Sequence, residues 1–208
     1  MNNKNFGTII LVHGNMVRVR FETDIIQNEV GYVLSRGEKL MAEVVRISGD
    51  IAYMQVFEDT KGVKIGDKVE FSGRMLSVQL GPGLLGQIYD GLQNPLAALA
   101  EKFGFFLPRG VQLDALDFNK KWYFKPMVKV KSKVTKGAYL GYVKEGLFKH
   151  FIMVPFNFNG EYEVEQIAVE GDYKIKDIIG RIKDERGRIS DLSMVFEWPI
   201  KIPISAYI

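Results

Sequence analysis

Alternation of apolar and polar positions dominates the first third of the chain. Thr8–Val12 is an apolar run broken by His13-Gly14-Asn15, after which Val17, Val19 and Phe21 alternate with Arg18, Arg20 and Glu22. A period of two predicts a half-buried strand with one wet face. Val30–Leu34, Leu40–Ile47, Ile51–Phe57 and Lys68–Phe71 follow, separated by turn residues such as Ser48-Gly49-Asp50 and Thr60-Lys61-Gly62. Short strands at this spacing predict a small closed barrel over residues 1–75.

The pattern changes over residues 76–110. Gly81-Pro82-Gly83 and Gly86 make a loop, and Asn94-Pro95 then opens the one clear helical period. Leu96, Leu99 and Phe103 share a face. Asn94 is placed to cap, Pro95 to occupy the first helical position, and Gly104 to stop the helix. Residues 111–197 return to strands, with apolar stations at Val128, Val130, Val134, Tyr139–Val143, Phe151–Val154, Tyr162–Val169, Ile178–Ile182 and Leu192–Phe196. Residues 198–208 read as an exit strand or linker that closes on Ala206-Tyr207-Ile208. Pro199 and Pro203 lack a donor there and favour an edge. The predicted fold is mainly β: an N-terminal barrel, a short loop and helix connection, and a second β-rich unit.

Composition narrows the chemistry. Hydrophobic residues make up 47% of 208 and charged residues 25%, so the chain is globular rather than disordered. There is no cysteine, which excludes disulfides, thiolate metal sites and cysteine nucleophiles. His13 and His150 are the only histidines, too few for a structural zinc site. A net charge of +3 does not by itself argue for nucleic acid. The N-terminus lacks a signal-peptide pattern, and no apolar run approaches the roughly 20 residues that span a bilayer. The expected location is cytoplasmic.

Each candidate motif carries an ordinary structural reading. Gly81-Pro82-Gly83-Leu84-Leu85-Gly86 fits the bare spacing G-x-G-x-x-G, but Pro82 removes a donor that a phosphate would need, and Gly-Lys occurs nowhere. The expectation is a structural turn. Lys120–Lys144 holds eight lysines and no acid, interleaved with Trp122, Tyr123 and Phe124. That is the pattern of a nucleic-acid face over Lys120–Lys136. The alternative is a solvated hairpin face, with Lys129, Lys131 and Lys133 alternating against Val128, Val130 and Ser132. The acids at Glu161, Glu163, Glu165, Glu170 and Asp172 could neutralise it across strands. Asp114 and Asp117 read as turn caps. A lipoyl- or biotin-carrier reading lacks the Met-Lys-Met or Asp-Lys-Ala hairpin tip.

Five blocks, in order, carry a resemblance. They are Gln55-Val56-Phe57-Glu58-Asp59-Thr60-Lys61-Gly62-Val63, then Leu76–Leu85 with Ile88–Leu96, then Phe106-Leu107-Pro108-Arg109-Gly110, Lys149–Pro155 and Met194–Pro199. The sequence resembles the N-terminal part of the catalytic A subunit (alpha chain) of V-type and archaeal-type rotary ATPases. The resemblance implies a crown-type barrel, a segment that begins the nucleotide domain, and a β-rich insertion that bulges outward. The residues it singles out are Gly81, Pro82, Gly83, Asp90, Gly91, Gln93, Pro95, Arg109, Gly110, His150, Trp198 and Pro199.

In that family the phosphate loop follows the Trp-Pro segment, and this chain ends at Ile208 before it. The resemblance therefore implies no catalytic, cofactor-binding or metal residue here, and ATP and Mg2+ only for the parent subunit. It implies B subunits of an alternating A3B3 hexamer as partners, and stalk or regulatory subunits at the insertion. The parent would couple ATP hydrolysis or synthesis to proton or sodium transport, with this portion serving assembly. The family usually has an Arg-rich stretch after Trp-Pro, where this chain has Ile200-Lys201-Ile202-Pro203-Ile204. The rival is a free-standing β-barrel module that uses Lys120–Lys136 for nucleic acid.

Overall fold

The computed structural model describes residues 5–104 and 106–204; the terminal Ala206-Tyr207-Ile208 lies outside the described residues. The chain is mainly β and divides into two compact units. One runs to Ser77 and takes in Ala98–Leu113 and Pro199–Lys201; the other holds Val78–Ala97, Asp114–Trp198 and the residues from Ile202 onward.

The first unit is a closed barrel of six strands: β1 (Asn5–His13), β2 (Met16–Phe21), β3 (Glu29–Ser35), β4 (Glu38–Ser48), β5 (Ile51–Val56) and β6 (Lys68–Met75). Their order is β1-β2-β5-β4-β3-β6, all antiparallel, with β6 closing onto β1. Closure removes the free strand edges that would otherwise template aggregation. The alternating positions meet inside, where Ile9, Val17, Val19, Val33, Leu40, Val44, Met54 and Val69 are all fully buried. Arg18, Arg20 and Lys68 stay outside, so the same period that predicts the strands also sorts the two faces. Glu29, with Ser35 and Glu43, is an exception, and it is the most deeply buried of the three. It is 1% exposed, and its carboxylate accepts from the Ile26 amide at 3.0 Å and the Gly73 amide at 2.5 Å. A buried carboxylate needs such donors to remain charged. Lys201 joins this unit through Glu43 at 2.8 Å and Asn28 at 3.2 Å.

β7 (Ser77–Leu80) pairs with β16 (Phe196–Pro199) in a two-stranded sheet. Pro199 thus ends a strand that is an edge by construction. Trp198 is only half-buried; its ring meets Phe156 edge-on and its Nε1 donates to the Ile202 carbonyl at 2.8 Å. The helix α1 spans Leu96–Phe103. It starts one residue later than expected, because Pro95 forms a bridge with Tyr89 instead of the first helical turn. Gly104 stops it with φ 70° and an amide bonded to the Ala100 carbonyl at 2.8 Å.

The second unit carries two four-stranded sheets around one core. One has the order β11-β10-β8-β13, from β8 (Lys121–Pro126), β10 (Tyr139–Glu145), β11 (Phe148–Met153) and β13 (Gly171–Lys174). The other is β15-β14-β12-β9, from β9 (Lys133–Val134), β12 (Tyr162–Ile167), β14 (Gly180–Lys183) and β15 (Ile189–Leu192). Phe124, Leu140, Val143 and Ile152 from the first meet Val134, Val164, Ile182 and Leu192 from the second. Residues 128–132 correct the sequence reading. Lys131 has φ 71°, the stretch is a turn rather than a strand, and Val130 is exposed. The strands β13 and β15 carry no apolar alternation, so pattern reading does not find them. Asp117 behaves as read, its carboxylate accepting from the Asn119 amide at 2.8 Å and the Lys120 amide at 3.3 Å.

Close approaches make two glycines obligatory. A Cβ on Gly7 would stand 2.4 Å from Val19 and 2.9 Å from the Arg20 carbonyl; one on Gly141 would stand 2.4 Å from the Lys125 carbonyl and 2.6 Å from the Phe124 ring. Gly7→Ala and Gly141→Ala should each cost about 1–3 kcal/mol in urea denaturation through overpacking. Gly146→Ala meets no atom, and its cost should be confined to the φ 60° strain, about 1–2 kcal/mol. The turn after β14 makes a pH prediction. The Arg188 amide first, then its guanidinium and the Arg186 amide, hold the Asp184 carboxyl below its ordinary value. A depressed folded value means the turn's stabilisation is present above the ordinary Asp range and lost as pH falls through the folded value. Carboxyl NMR should show Asp184 titrating below the ordinary Asp range, and Arg188→Ala should move it upward.

Candidate functional site

The twelve residues singled out by resemblance gather in four places. The first is the glycine loop. Gly83, at φ 111°, donates its amide to Glu145 Oε1 at 2.8 Å, and the Leu85 amide reaches the same oxygen at 3.1 Å. The other carboxylate oxygen lies 2.6 Å from His150 Nδ1. Glu145 ends β10 and His150 sits two residues into β11, so the hairpin turn at Gly146 brings both to one face. Glu145 is 6% exposed. Its charge is balanced by two amide dipoles and, when protonated, by the imidazolium.

This arrangement decides what the loop can do. Amide groups converging on one point form an anion site, and here the anion is the protein's own carboxylate. The Gly83 and Leu85 donors are spent, Pro82 has none, and an incoming phosphate would face the buried negative charge of Glu145. The loop does not fit ATP with Mg2+. Tyr89 belongs to the same cluster: its hydroxyl donates to the Ala115 carbonyl at 3.0 Å, and burial, then the Glu145 charge, push its pKa up. Beside His150 lies an apolar cavity of about 210 Å³ that also meets Leu80, Leu84, Phe156 and Ser193. Ser193 donates to the Val195 carbonyl at 2.8 Å and is not poised as a nucleophile. Among the described residues no group of three His, Cys, Asp or Glu side chains could hold a metal ion.

The second place is the turn before α1. Asp90 Oδ1 accepts from the Leu92 amide at 2.9 Å and the Asn94 amide at 2.8 Å, while the Asn94 side chain donates to Oδ2 at 2.9 Å. Gln93, at φ 62°, pairs reciprocally with the Gln79 backbone: it accepts from the amide at 2.7 Å and donates to the carbonyl at 2.8 Å. Gly91 completes the turn and Pro95 closes it onto Tyr89. The third place is Arg109-Gly110. Arg109 donates to the carbonyls of Asp59 at 2.9 Å and Lys61 at 2.7 Å, and pairs with Glu38; the Gly110 amide donates to Glu58 at 2.6 Å. The fourth is Trp198-Pro199. Each is a brace.

Sequence reasoning misses Glu145. Its signal is slight: an acid at the end of an apolar strand, five residues before a histidine, with a glycine between. The basic-aromatic stretch is resolved too. Trp122 and Phe124 turn inward at 6% and 0% exposure, while Tyr123 points out. Lys125 pairs with Glu170 at 2.8 Å and Lys133 with Glu161 at 2.6 Å, so two of its eight lysines meet the acids proposed across the strands.

A closed six-stranded barrel followed by a β-sandwich unit, both braced at glycine turns, defines a class. Residues 7–73 match the beta-barrel domain of the ATP synthase alpha/beta family, and residues 113–201 match the ATPsynthase alpha/beta subunit barrel-sandwich domain. The chain belongs to the ATP synthase alpha/beta family. Within it, the sequence matches the N-terminal portion of V-type ATP synthase alpha chains. It is 51% identical over 204 residues to the V-type ATP synthase alpha chain of Treponema denticola, which covers 98% of this chain and 35% of that protein. It is 52% identical over 201 residues to alpha chain 1 of Treponema pallidum (97% and 34%), and 48% over 207 to the alpha chain of Borreliella afzelii (100% and 36%). The chain thus spans about a third of these relatives' length. No helix among the described residues is long and apolar enough to cross a membrane.

Two substitutions test the braces. Glu145→Ala should destabilise the protein by about 1–3 kcal/mol, since it removes the acceptor shared by two part-buried amides and His150. It should also speed amide exchange at Gly83 and Leu85, whereas Glu145→Gln should cost about half as much. Unchanged exchange at both amides would show that the carboxylate does not hold the loop. Arg109→Lys keeps the charge but not the fork that spans two carbonyls and a carboxylate, and should cost on the order of 1 kcal/mol in urea.

Proposed function

We propose that this chain is the non-catalytic N-terminal portion of a V-type ATP synthase alpha chain, the catalytic A subunit. The parent couples ATP hydrolysis or synthesis to proton or sodium transport and uses ATP and Mg2+. In this reading the barrel joins the crown of an alternating A3B3 hexamer, and the sandwich unit presents a surface to stalk or regulatory subunits. The assembly works in the cytoplasm, peripheral to the membrane. The observation that carries the non-catalytic role is the occupied glycine loop. Gly83 and Leu85 give their amides to Glu145, so the one phosphate-like spacing in the chain is spent on holding its own fold.

The closed barrel supports the assembly role, because a rigid unit with its edges consumed can offer only side chains and turns to neighbours. The test mixes the 208-residue chain with the purified V-type ATP synthase beta chain of the same organism. Native mass spectrometry should show mixed species containing both chains, and the chain alone should neither hydrolyse ATP nor bind Mg-ATP in calorimetry. Beta-chain species without this chain would overturn the assembly role. Turnover that tracks the protein through purification would overturn the non-catalytic role.

A further inference from the structure

The β10–β11 hairpin breaks a rule of sheet pairing. Lys144 and Lys149 stand directly opposite each other across the two strands, both exposed. Like charges in that position repel and cost stability. Among the described residues neither ammonium has a carboxylate partner; Lys149 instead lies 4.9 Å from the centre of the Tyr142 ring. Elsewhere in the same unit two lysines meet acids across strands, Lys125 with Glu170 and Lys133 with Glu161. Lys144 and Lys149 flank an apolar tip, with Leu147 at 93% exposure, the highest of the large hydrophobic side chains among the described residues, and Phe148 at 66%. Rule violations of this sort are expected where function outweighs stability.

We propose that the hairpin tip, Lys144, Leu147, Phe148 and Lys149, is a docking surface for an acidic amphipathic protein segment. Two carboxylates on that segment would each meet one lysine, relieving the repulsion, and an adjacent apolar side chain would cover Leu147 and Phe148. The surroundings favour a protein over a nucleic acid. A phosphate backbone wants a track of several cations, but this one stops after two lysines, since the next cation on the sheet, Lys125, is already held by Glu170. Bases stack on successive open aromatic faces, but this tip offers the Phe148 ring alone, since Tyr139 is stacked on Phe151 at 4.6 Å and Tyr142 is covered by Lys149. The proposal rests on the reading of the sandwich unit as a partner-binding surface and names the place and chemistry of the partner.

The experiment uses the 208-residue chain and a fluorescein-labelled peptide of Glu-Glu-Leu repeats, read by anisotropy at low and moderate salt. The wild-type chain should bind it, and the version with Gln for Glu should not bind. Lys144→Glu with Lys149→Glu should weaken binding by about tenfold or more. Leu147→Ser with Phe148→Ser should also weaken it, whereas Lys129→Glu with Lys131→Glu should leave it unchanged. Equal loss in the last pair, or tighter binding to oligo-dT or to phosphatidylserine vesicles than to the peptide, would overturn the proposal. A second readout does not depend on the probe: Lys149→Glu alone turns a repulsive pair into an attractive one and should raise the urea midpoint. A midpoint that stays or falls removes the premise. If the chain joins the beta subunit but the hairpin variants bind the peptide normally, the surface fails and the assembly reading stands. If peptide binding maps to the hairpin but no beta-chain complex forms, the reverse holds.

Discussion

The charge on Glu145 organises the second unit. A carboxylate at this depth persists only where donors converge on it, and the donors come from two distant stretches: the amides of Gly83 and Leu85, and the imidazole of His150 one hairpin turn away. Residues more than sixty positions apart are thereby locked to one side chain. The loop gains a fixed shape, the hairpin gains a polar anchor beneath its last turn, and the Tyr89 hydroxyl lies within the field of the same charge. Without that carboxylate the loop amides would be stranded between core and solvent.

The remaining braces follow the same logic of compulsory satisfaction. Gln93 supplies the backbone of Gln79 with the acceptor and donor that a neighbouring strand would have provided. Arg109 gathers the carbonyls of Asp59 and Lys61, whose turn has no sheet partner for them, and Glu58 takes the Gly110 amide. The sequence blocks that mark the family are thus pairs of surfaces: the Gln55–Val63 block meets the Arg109-Gly110 block, the Leu76–Leu85 block meets the Ile88–Leu96 block, and the glycine loop meets the Lys149–Pro155 block through Glu145. Their chemistry is that of joints. Their specificity lies in geometry, because a fork or an amide serves only at the right distance and angle.

Much of this was legible from residue order. β2 was readable because one face is wet, so period two survives in Val17, Val19 and Phe21, whereas β3 and β4, buried at consecutive positions, were readable as apolar runs between turn residues. The helix was readable from Leu96, Leu99, Phe103 and Gly104, with its start displaced by one residue where Pro95 bridges to Tyr89. Residues 128–132 were not readable, because Val128 and Val130 alternate with lysines as a strand would while the backbone turns at Lys131. Short strands such as Gly171–Lys174 pair at a sheet edge with a single ring, Tyr173, against the core, too little for a period of two to show. The family's hexamer and stalk contacts came from resemblance and stand as a proposal.

By itself the sequence determined the class of most segments and the family, since local periodicity, turn chemistry and ordered blocks are properties of neighbours along the chain. Only the tertiary structure decided what the glycine loop is for. G-x-G-x-x-G is the same string whether its amides hold a phosphate or a carboxylate of the protein. The difference is made by Glu145, sixty residues on, and by a hairpin that buries its charge. Hydrogen bonds and burial are set by distance in space, which the order of residues does not contain.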